Sequence, residues 1–412
     1  IGAAQNVIQR HKDAAAELIA ASWVVVAHST FELKRYAEAE QSYNQVLVLL
    51  PPKDARVSAA TDKLAASIYK QAEEHQQRGE MDAAVEDYLR IAASAPQSAI
   101  RQTAEYDAAT ILIKLERWEK SAVVLQAFRK QYPSSKLQFD VTQKLAFVYR
   151  QDGKSAEAAR EFELIATQSS DEALCREALT EAAQLYTDIK DYPAAIKVHK
   201  GYIKRFPQPV EPALEARQQL AGLYAKSGQQ TARTDLLKEI VDIDRQAGKQ
   251  RTDRTRYLAA FAAFELIDPM LQDFNDARLG EPFKKTLKVK KEKMSRLLTL
   301  YGDLADYEVA EITAATTYRI AGIYYEFSTD LMTSERPRNL GAEELEQYDL
   351  ILEEQAYPFE EKAISIHEKN IELLTAGIFN PWIDKSIQQL AELMPARYGK
   401  QEQGEQFVSS IY

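Results

Sequence analysis

The stretches YAEAEQSYNQVLVLLP at 36–51 and MDAAVEDYLRIAASAP at 81–96 share few identities, yet both carry one frame. An alanine (Ala39, Ala84) is followed four residues later by a tyrosine (Tyr43, Tyr88), then by an aliphatic residue (Val46, Ile91), and a proline (Pro51, Pro96) closes the stretch. The frame recurs as Ser121, Leu125, Phe128, Pro133, as Ala158, Phe162, Ile165, Ser170, and as Ala195, His199, Tyr202, Pro207. Its closing positions lie 45, 37, 37 and 37 residues apart. Positions spaced by three and four fall on one face of a helix, and a proline ends that helix.

A second frame precedes the first. Leu145, Ala146 and Tyr149 share their spacing with Ala182, Ala183, Tyr186 and with Leu220, Ala221, Tyr224, while the first unit carries Trp23, Val26 and Ala27. Gly79, Gly153 and Gly228 follow four residues after the closing position of this frame, where a helix has to stop and turn. Each unit therefore reads as two antiparallel helices. Small residues let the helices approach, and aromatics fill the gaps between neighbours. One such unit cannot bury its apolar stripe alone, but a stack can. A plain helical bundle has no reason to hold this phase over five units.

Composition agrees. Of 412 residues, 45% are hydrophobic and 28% charged, as in a folded, soluble chain. Only 14 glycines and 14 prolines disfavour an all-β fold with frequent turns. A net charge of −10 argues against a duplex nucleic-acid partner. Cys175 is the sole cysteine, so no intramolecular disulfide can form; that fits the cytoplasm and equally a periplasm. No run of 18 apolar residues marks a membrane span. The first residue is Ile1, which reads as a processed or trimmed start, so targeting is not read from this end.

The two frames together resemble the tetratricopeptide repeat, W-x2-L-G-x2-Y, then A-x3-F, then P. The likeness covers roughly residues 18–245 in about six copies. It implies an all-α, right-handed superhelical solenoid of stacked antiparallel helix pairs. Three departures stand out. The period is 37 or 38 residues, the first step of 45 predicts a lengthened helix around 57–75, and the last copy has Arg233 and Arg245 where alanine and proline belong. The unit ends KQYPSSK and KRFP resemble repeats of Gram-negative envelope proteins, such as outer-membrane assembly lipoproteins and the periplasmic partner of the Tol-Pal system. That resemblance implies a periplasmic or envelope-associated place, the cytoplasm being the alternative.

After about residue 250 the phase is lost but helical patterning persists. RTRYLAAFAAFELIDPMLQDF reads as an apolar helix running into Pro269. EPFKKTLKVKKEKMSRLLTLYGDL sets Phe283, Leu287, Met294, Leu298 and Tyr301 on one face. Further on, small residues Ala310, Ala314, Ala321 and Gly322 stand at helix-packing spacing, and AYPFEEKAISIHEKNIELL reads as a second repeat helix with Ala363 and His367. Asn380 and Pro381 read as the N-cap and first position of another helix. YRIAGIYYEF, YPFEEKAI and LMPARYGK resemble C-terminal parts of long envelope repeat proteins. The organisation expected is residues 1–250 as about six repeat-like pairs, 251–400 as divergent helical pairs continuing the stack, and 401–412 as a tail without apolar period.

No motif for chemistry is found. His11, His28, His75, His199 and His367 are scattered, Cys175 has no CxxC partner, and no phosphate loop, G-x-S-x-G or H-E-x-x-H occurs. His199 occupies a repeat position and reads as packed core, as does Cys175 in EALCREAL. The basic run KKTLKVKKEK, 284–293, could meet an anionic surface, a lipid headgroup or an acidic partner; a solvated helix face is the plainer reading. No catalytic, cofactor-binding or metal-ligating residue is therefore expected.

In such repeats the concave face is lined by the first helix of each unit, and the resemblance implies that its second, fifth, ninth, twelfth and thirteenth positions do the binding. Counted here these include Tyr69, Glu73, Tyr106, Lys114, Gln143, Phe147, Arg150 and Gln184. Aromatic, amide and both signs of charge suit an extended peptide or a helix of another protein. The carboxylate clamp of eukaryotic chaperone-binding repeats needs lysine and asparagine where Val24 and His28 stand, which disfavours it. The expectation is a non-catalytic scaffold for protein partners, with no nucleic acid, no cofactor and no membrane span. A ligand-binding or enzymatic role of the C-terminal helices and a purely structural spacer are the alternatives.

Overall fold

The computed structural model describes residues 1–399; the expected tail, 401–412, lies outside them. Every regular element among the described residues is helical. The chain divides into two compact units, Ile1–Val198 and His199–Tyr412. The first holds α1 (Gly2–Arg10), α2 (Ala16–Glu32), α3 (Tyr36–Leu49), α4 (Arg56–Gln77), α5 (Met81–Ser94), α6 (Ile100–Lys114), α7 (Trp118–Gln131), α8 (Gln138–Gln151), α9 (Ser155–Gln168) and α10 (Glu172–Asp188). Helix α11 (Tyr192–Arg205) contains the boundary. The second unit holds α12 (Val210–Lys226), α13 (Gln230–Gln246), α14 (Asp253–Glu265), α15 (Asp268–Asn275), α16 (Phe283–Asp303), α17 (Ala310–Met332), α18 (Ala342–Glu372), α19 (Pro381–Leu393) and the single turn α20 (Pro395–Tyr398).

In the first unit α2/α3, α4/α5, α6/α7 and α8/α9 are packed hairpins, and in the second so is α12/α13. Their connections are three residues long and follow one geometry. The central residue takes a left-handed conformation, with φ of 60° at Lys34, 80° at Gly79, 56° at Glu116, 72° at Gly153 and 73° at Gly228; Lys190 after α10 does the same at 61°. The next N–H then returns to a carbonyl five residues back. Arg35 donates to Thr30 at 2.9 Å, Arg117 to Leu112 at 2.8 Å and Lys154 to Tyr149 at 2.8 Å. This is the six-to-one bond of a Schellman ending, which satisfies carbonyls that the helix leaves open. Sequence reading found the three glycines and missed the three charged residues that hold the same backbone.

The frame residues are core. Ala39, Ala84 and Ala158 are fully buried, as are Tyr43, Tyr88, Leu125 and Phe128. Ser121, the frame's polar substitute for alanine, is buried too and donates to the Ala109 carbonyl at 3.1 Å. The 45-residue step has the expected cause. Helix α4 has 22 residues against 14 in α8. It begins 23 residues before its turn centre, α8 only 15, so the eight extra residues all extend its N-terminal end.

The second unit adds detail to the sequence expectations and departs from some of them. The stretch before Pro269 is broken: α14 stops at Glu265 and Pro269 sits in the first turn of α15, where its missing N–H is harmless. Arg233 pairs with Glu265 of α14 at 2.7 Å, and the degenerate copy, α12 with α13, is still a packed hairpin. Ala314 and Ala321 are buried, whereas Ala310 is exposed at the start of α17. Ala363 and His367 belong to a single helix of 31 residues, α18, that continues through Pro358. Met294 and Tyr301 of α16 are buried, with Phe283, Leu287 and Leu298 packed against the same cluster. Asn380 caps α19, accepting from the N–H groups of Trp382 and Ile383 at 3.0 and 3.1 Å.

Candidate functional site

Counting back from the turn centres places equivalent first-helix residues in columns. Ten residues before the turn stand Val24, Tyr69, Tyr106 and Gln143; six before it stand His28, Glu73, Thr110, Phe147 and Gln184. Of the residues singled out from sequence, Tyr69, Glu73, Tyr106 and Gln143 are half-buried, while Lys114, Phe147, Arg150 and Gln184 are exposed. Phe147 is 44% exposed, unusual for a phenylalanine, and rests edge-on against Trp118 with ring centroids 5.8 Å apart.

Several of these side chains also tie neighbouring first helices together. The Tyr69 hydroxyl donates to Asp107 at 2.5 Å, the Tyr106 hydroxyl donates to Asp140, and the Arg150 guanidinium donates to Glu181 at 3.0 Å. Burial, then the bonded carboxylates, raise both phenols above their usual range, so they stay protonated donors. The Lys144 ammonium sits 5.3 Å over the Tyr106 ring. Tyr106 thus offers its ring edge more than its hydroxyl to a partner. A second network runs beside Glu73: Glu40 accepts from Arg90 and from Gln71 at 2.7 Å, and Asp87 accepts from Arg90 at 2.7 Å and bonds His75 Nδ1 at 2.8 Å. Burial would push the Glu40 carboxyl up, but the bonds from Arg90 and Gln71 outweigh it and hold it low.

The column opens at its N-terminal end into a cleft of about 510 Å³ lined mainly by apolar side chains. Val24 and His28 of α2 form one wall, Tyr43 and Val46 of α3 the floor, and the extended start of α4 the other wall. Ala59, Ala60 and Ala66 are too small to fill the gap that the extra turns of α4 create. His28 Nδ1 and the Tyr43 hydroxyl are 2.9 Å apart. At the rim the Arg56 guanidinium is held by Asp54 and Glu17, both at 2.7 Å, Asp62 accepts from Ser98 at 2.7 Å, and the Lys63 ammonium lies 4.9 Å over Phe31. Sequence reading missed this cleft. Its signal was present as the 45-residue step with alanines clustered just inside the lengthened helix.

Two other places resolve differently. In the basic run, Lys290 is fully buried: its ammonium donates to the Phe274 carbonyl at 2.8 Å, pairs with Asp330 and lies 4.3 Å over the Phe274 ring. That lysine is a staple between α15, α16 and α17, whereas Lys284, Lys285, Lys288 and Lys291 remain on the surface. In the second unit Ser386 Oγ lies 3.1 Å from His367 Nδ1 and accepts from Asn370 at 2.8 Å. All three residues are at most 1% exposed, and none of them lines the cleft beside α2. Burial lowers His367 to about 4. His199 is half-buried and is lowered to about 4 by the same cause, and Cys175 is fully buried. Among the described residues no group of three metal-ligating side chains comes together, and no helix is long and apolar enough to cross a membrane.

Residues 103–135 match the family model of the tetratricopeptide repeat. This is α6 and α7 with the turn between them and the start of the next unit. Among solved structures, the chain is similar to nearly identical TPR-like repeats ascribed to a kinesin light chain of Podosopora anserina, at 20% identity and TM-score 0.28, covering 47% of this chain and 98% of that one. It is also similar to the Naa15/Naa10 complex bound to HypK-THB, at 12% identity and TM-score 0.32, over 91% of this chain and 64% of that one. A third likeness is to a tetratricopeptide repeat protein from Parabacteroides merdae, at 14% identity and TM-score 0.24, over 66% of this chain and 96% of that one. No curated protein matches the chain.

Proposed function

We propose that this chain, a tetratricopeptide-repeat protein, is a non-catalytic scaffold that holds an extended peptide or a helix of another protein along its first-helix column. The observation that carries the reading is the column itself. It sets the Tyr106 ring on one repeat and the exposed Phe147 with the Arg150 guanidinium on the next, and it ends in an apolar cleft of about 510 Å³. Aromatic and arginine side chains dominate binding energy when a partner desolvates them. A cleft walled by Val24, His28 and three alanines suits a cluster of apolar side chains of that partner. The divergent helices of 251–400 extend the same scaffold in this proposal. Its place in a bacterial envelope complex rests on the unit ends KQYPSSK and KRFP.

The test is a variant with Tyr106, Phe147 and Arg150 all replaced by alanine. Its helical signal should persist, because none of the three is buried. Partners captured from an envelope extract, then titrated individually, should bind weaker by roughly 2 kcal/mol or more. Unchanged capture and affinity would show that the column is not the binding face.

A further inference from the structure

We propose that two copies of this chain pair through a basic helix face of one and an acidic, apolar helix face of the other, both in the second unit. The solvent side of α16 carries Lys284, Lys285, Lys288, Lys291 and Arg296 against two acids, Glu292 and, at its last residue, Asp303. Among the described residues none of these five cations has a carboxylate within ion-pair distance, whereas Lys290 and Lys293 of the same helix are both paired. On α18 the opposite arrangement occurs. Leu350, Ile351 and Tyr357 are 60%, 56% and 59% exposed within eight residues of one helix. Glu346, Glu353, Glu354 and Glu361 surround them, also without an ion-pair partner among the described residues.

The two faces match in register as well as in sign. Leu350, Glu354, Tyr357 and Glu361 follow one another at steps of four, three and four, and so do Lys284, Lys288, Lys291 and Ser295. Those steps keep each row on one side of its helix, and two such rows can lie along each other. Exposed Val289 gives the basic face an apolar member to meet Leu350 or Tyr357. Exposed apolar side chains rimmed by charge are what a soluble monomer avoids and an interface uses. Both helices pack on α17, so a single two-fold pairing forms the contact twice, α16 on α18 and α18 on α16. The net charge of −10 opposes association in general. Attraction is therefore confined to these faces, and salt weakens it.

The mass of the chain in solution tests this. At micromolar concentration and low salt, light scattering should give twice 46.6 kDa, falling toward the single-chain mass at about 0.5 M salt. A basic-face variant, Lys288→Glu with Lys291→Glu, should be monomeric, and so should an acidic-face variant, Glu353→Lys with Glu354→Lys. Mixed together, the two variants should regain the dimer, because each reversed face then meets its complement on the other chain. That regain also shows that both variants are folded. A monomeric parent at low salt overturns the proposal, and so does a dimer indifferent to either reversal. A mixture that stays monomeric overturns it as well.

Discussion

The turns between paired helices permit a quantitative check on how the repeat is closed. Gly153 and Glu116 hold the same left-handed backbone, at φ 72° and 56°, and end their helices with the same six-to-one hydrogen bond. A side chain in that region costs an L-residue about 1–2 kcal/mol. Glycine escapes the cost but loses about 0.5–1 kcal/mol of extra freedom on folding. The difference predicts that Glu116→Gly, Lys34→Gly and Lys190→Gly each stabilise by about 0.5–1 kcal/mol, and that Gly153→Ala destabilises by about the same amount. The surroundings do not interfere. A methyl group at Gly153 would meet no atom within 4 Å. The side chains of Lys34, Glu116 and Lys190 are exposed, so their removal sacrifices no packing. Urea unfolding of the parent and each variant measures the effect, with unchanged slopes showing that the same surface is exposed. Because a repeat stack sums unit and interface terms, the three glycine substitutions combined should shift stability by nearly the sum of their separate shifts. If Gly153→Ala unfolds with the parent, or the glycine variants are less stable than it, the turns are not limited by backbone strain.

Ala84 and Ala158 are fully buried where paired helices touch, so leucine at either should overpack the contact and cost about 1–3 kcal/mol; a melting temperature within a degree of the parent would show the frame was misread. His367 is held near 4 by burial, below the ordinary histidine value, so the unfolded chain takes up its proton first as the medium turns acid. Its contribution to stability is full above about pH 6.5 and is lost as the pH falls toward 4, by up to about 3 kcal/mol. Unfolding of the parent and of His367→Gln across that window should differ in slope, and parallel curves would refute the assignment.

Up to about residue 245 the sequence by itself determined the helices, their pairing and their phase, because these depend on local signals. Alanine and aromatic spacing marks the apolar stripe of each helix, and the 37-residue recurrence of Phe128, Ile165 and Tyr202 places the stripes in register. The 45-residue step likewise forecast a longer α4. Where the signal is conformational rather than compositional it was only half visible: glycine announces a left-handed turn at Gly153, but Lys34, Glu116 and Lys190 adopt it without announcing it. Tertiary structure decided everything that depends on which side chains from distant segments meet. Tyr69 and Asp107 were readable as types but not as partners. Lys290, one of a run of surface lysines in sequence, is buried because α15 supplies the Phe274 carbonyl and α17 supplies Asp330. Ser386, His367 and Asn370 form a polar core from two helices that no sequence spacing connects. The cleft beside α2 exists because extra helical turns stand over alanines with nothing behind them, a void that only the packing of α3 and α4 defines. Local spacing fixes each element; the free energy of a buried charge or an unfilled gap is settled by neighbours far away in the chain.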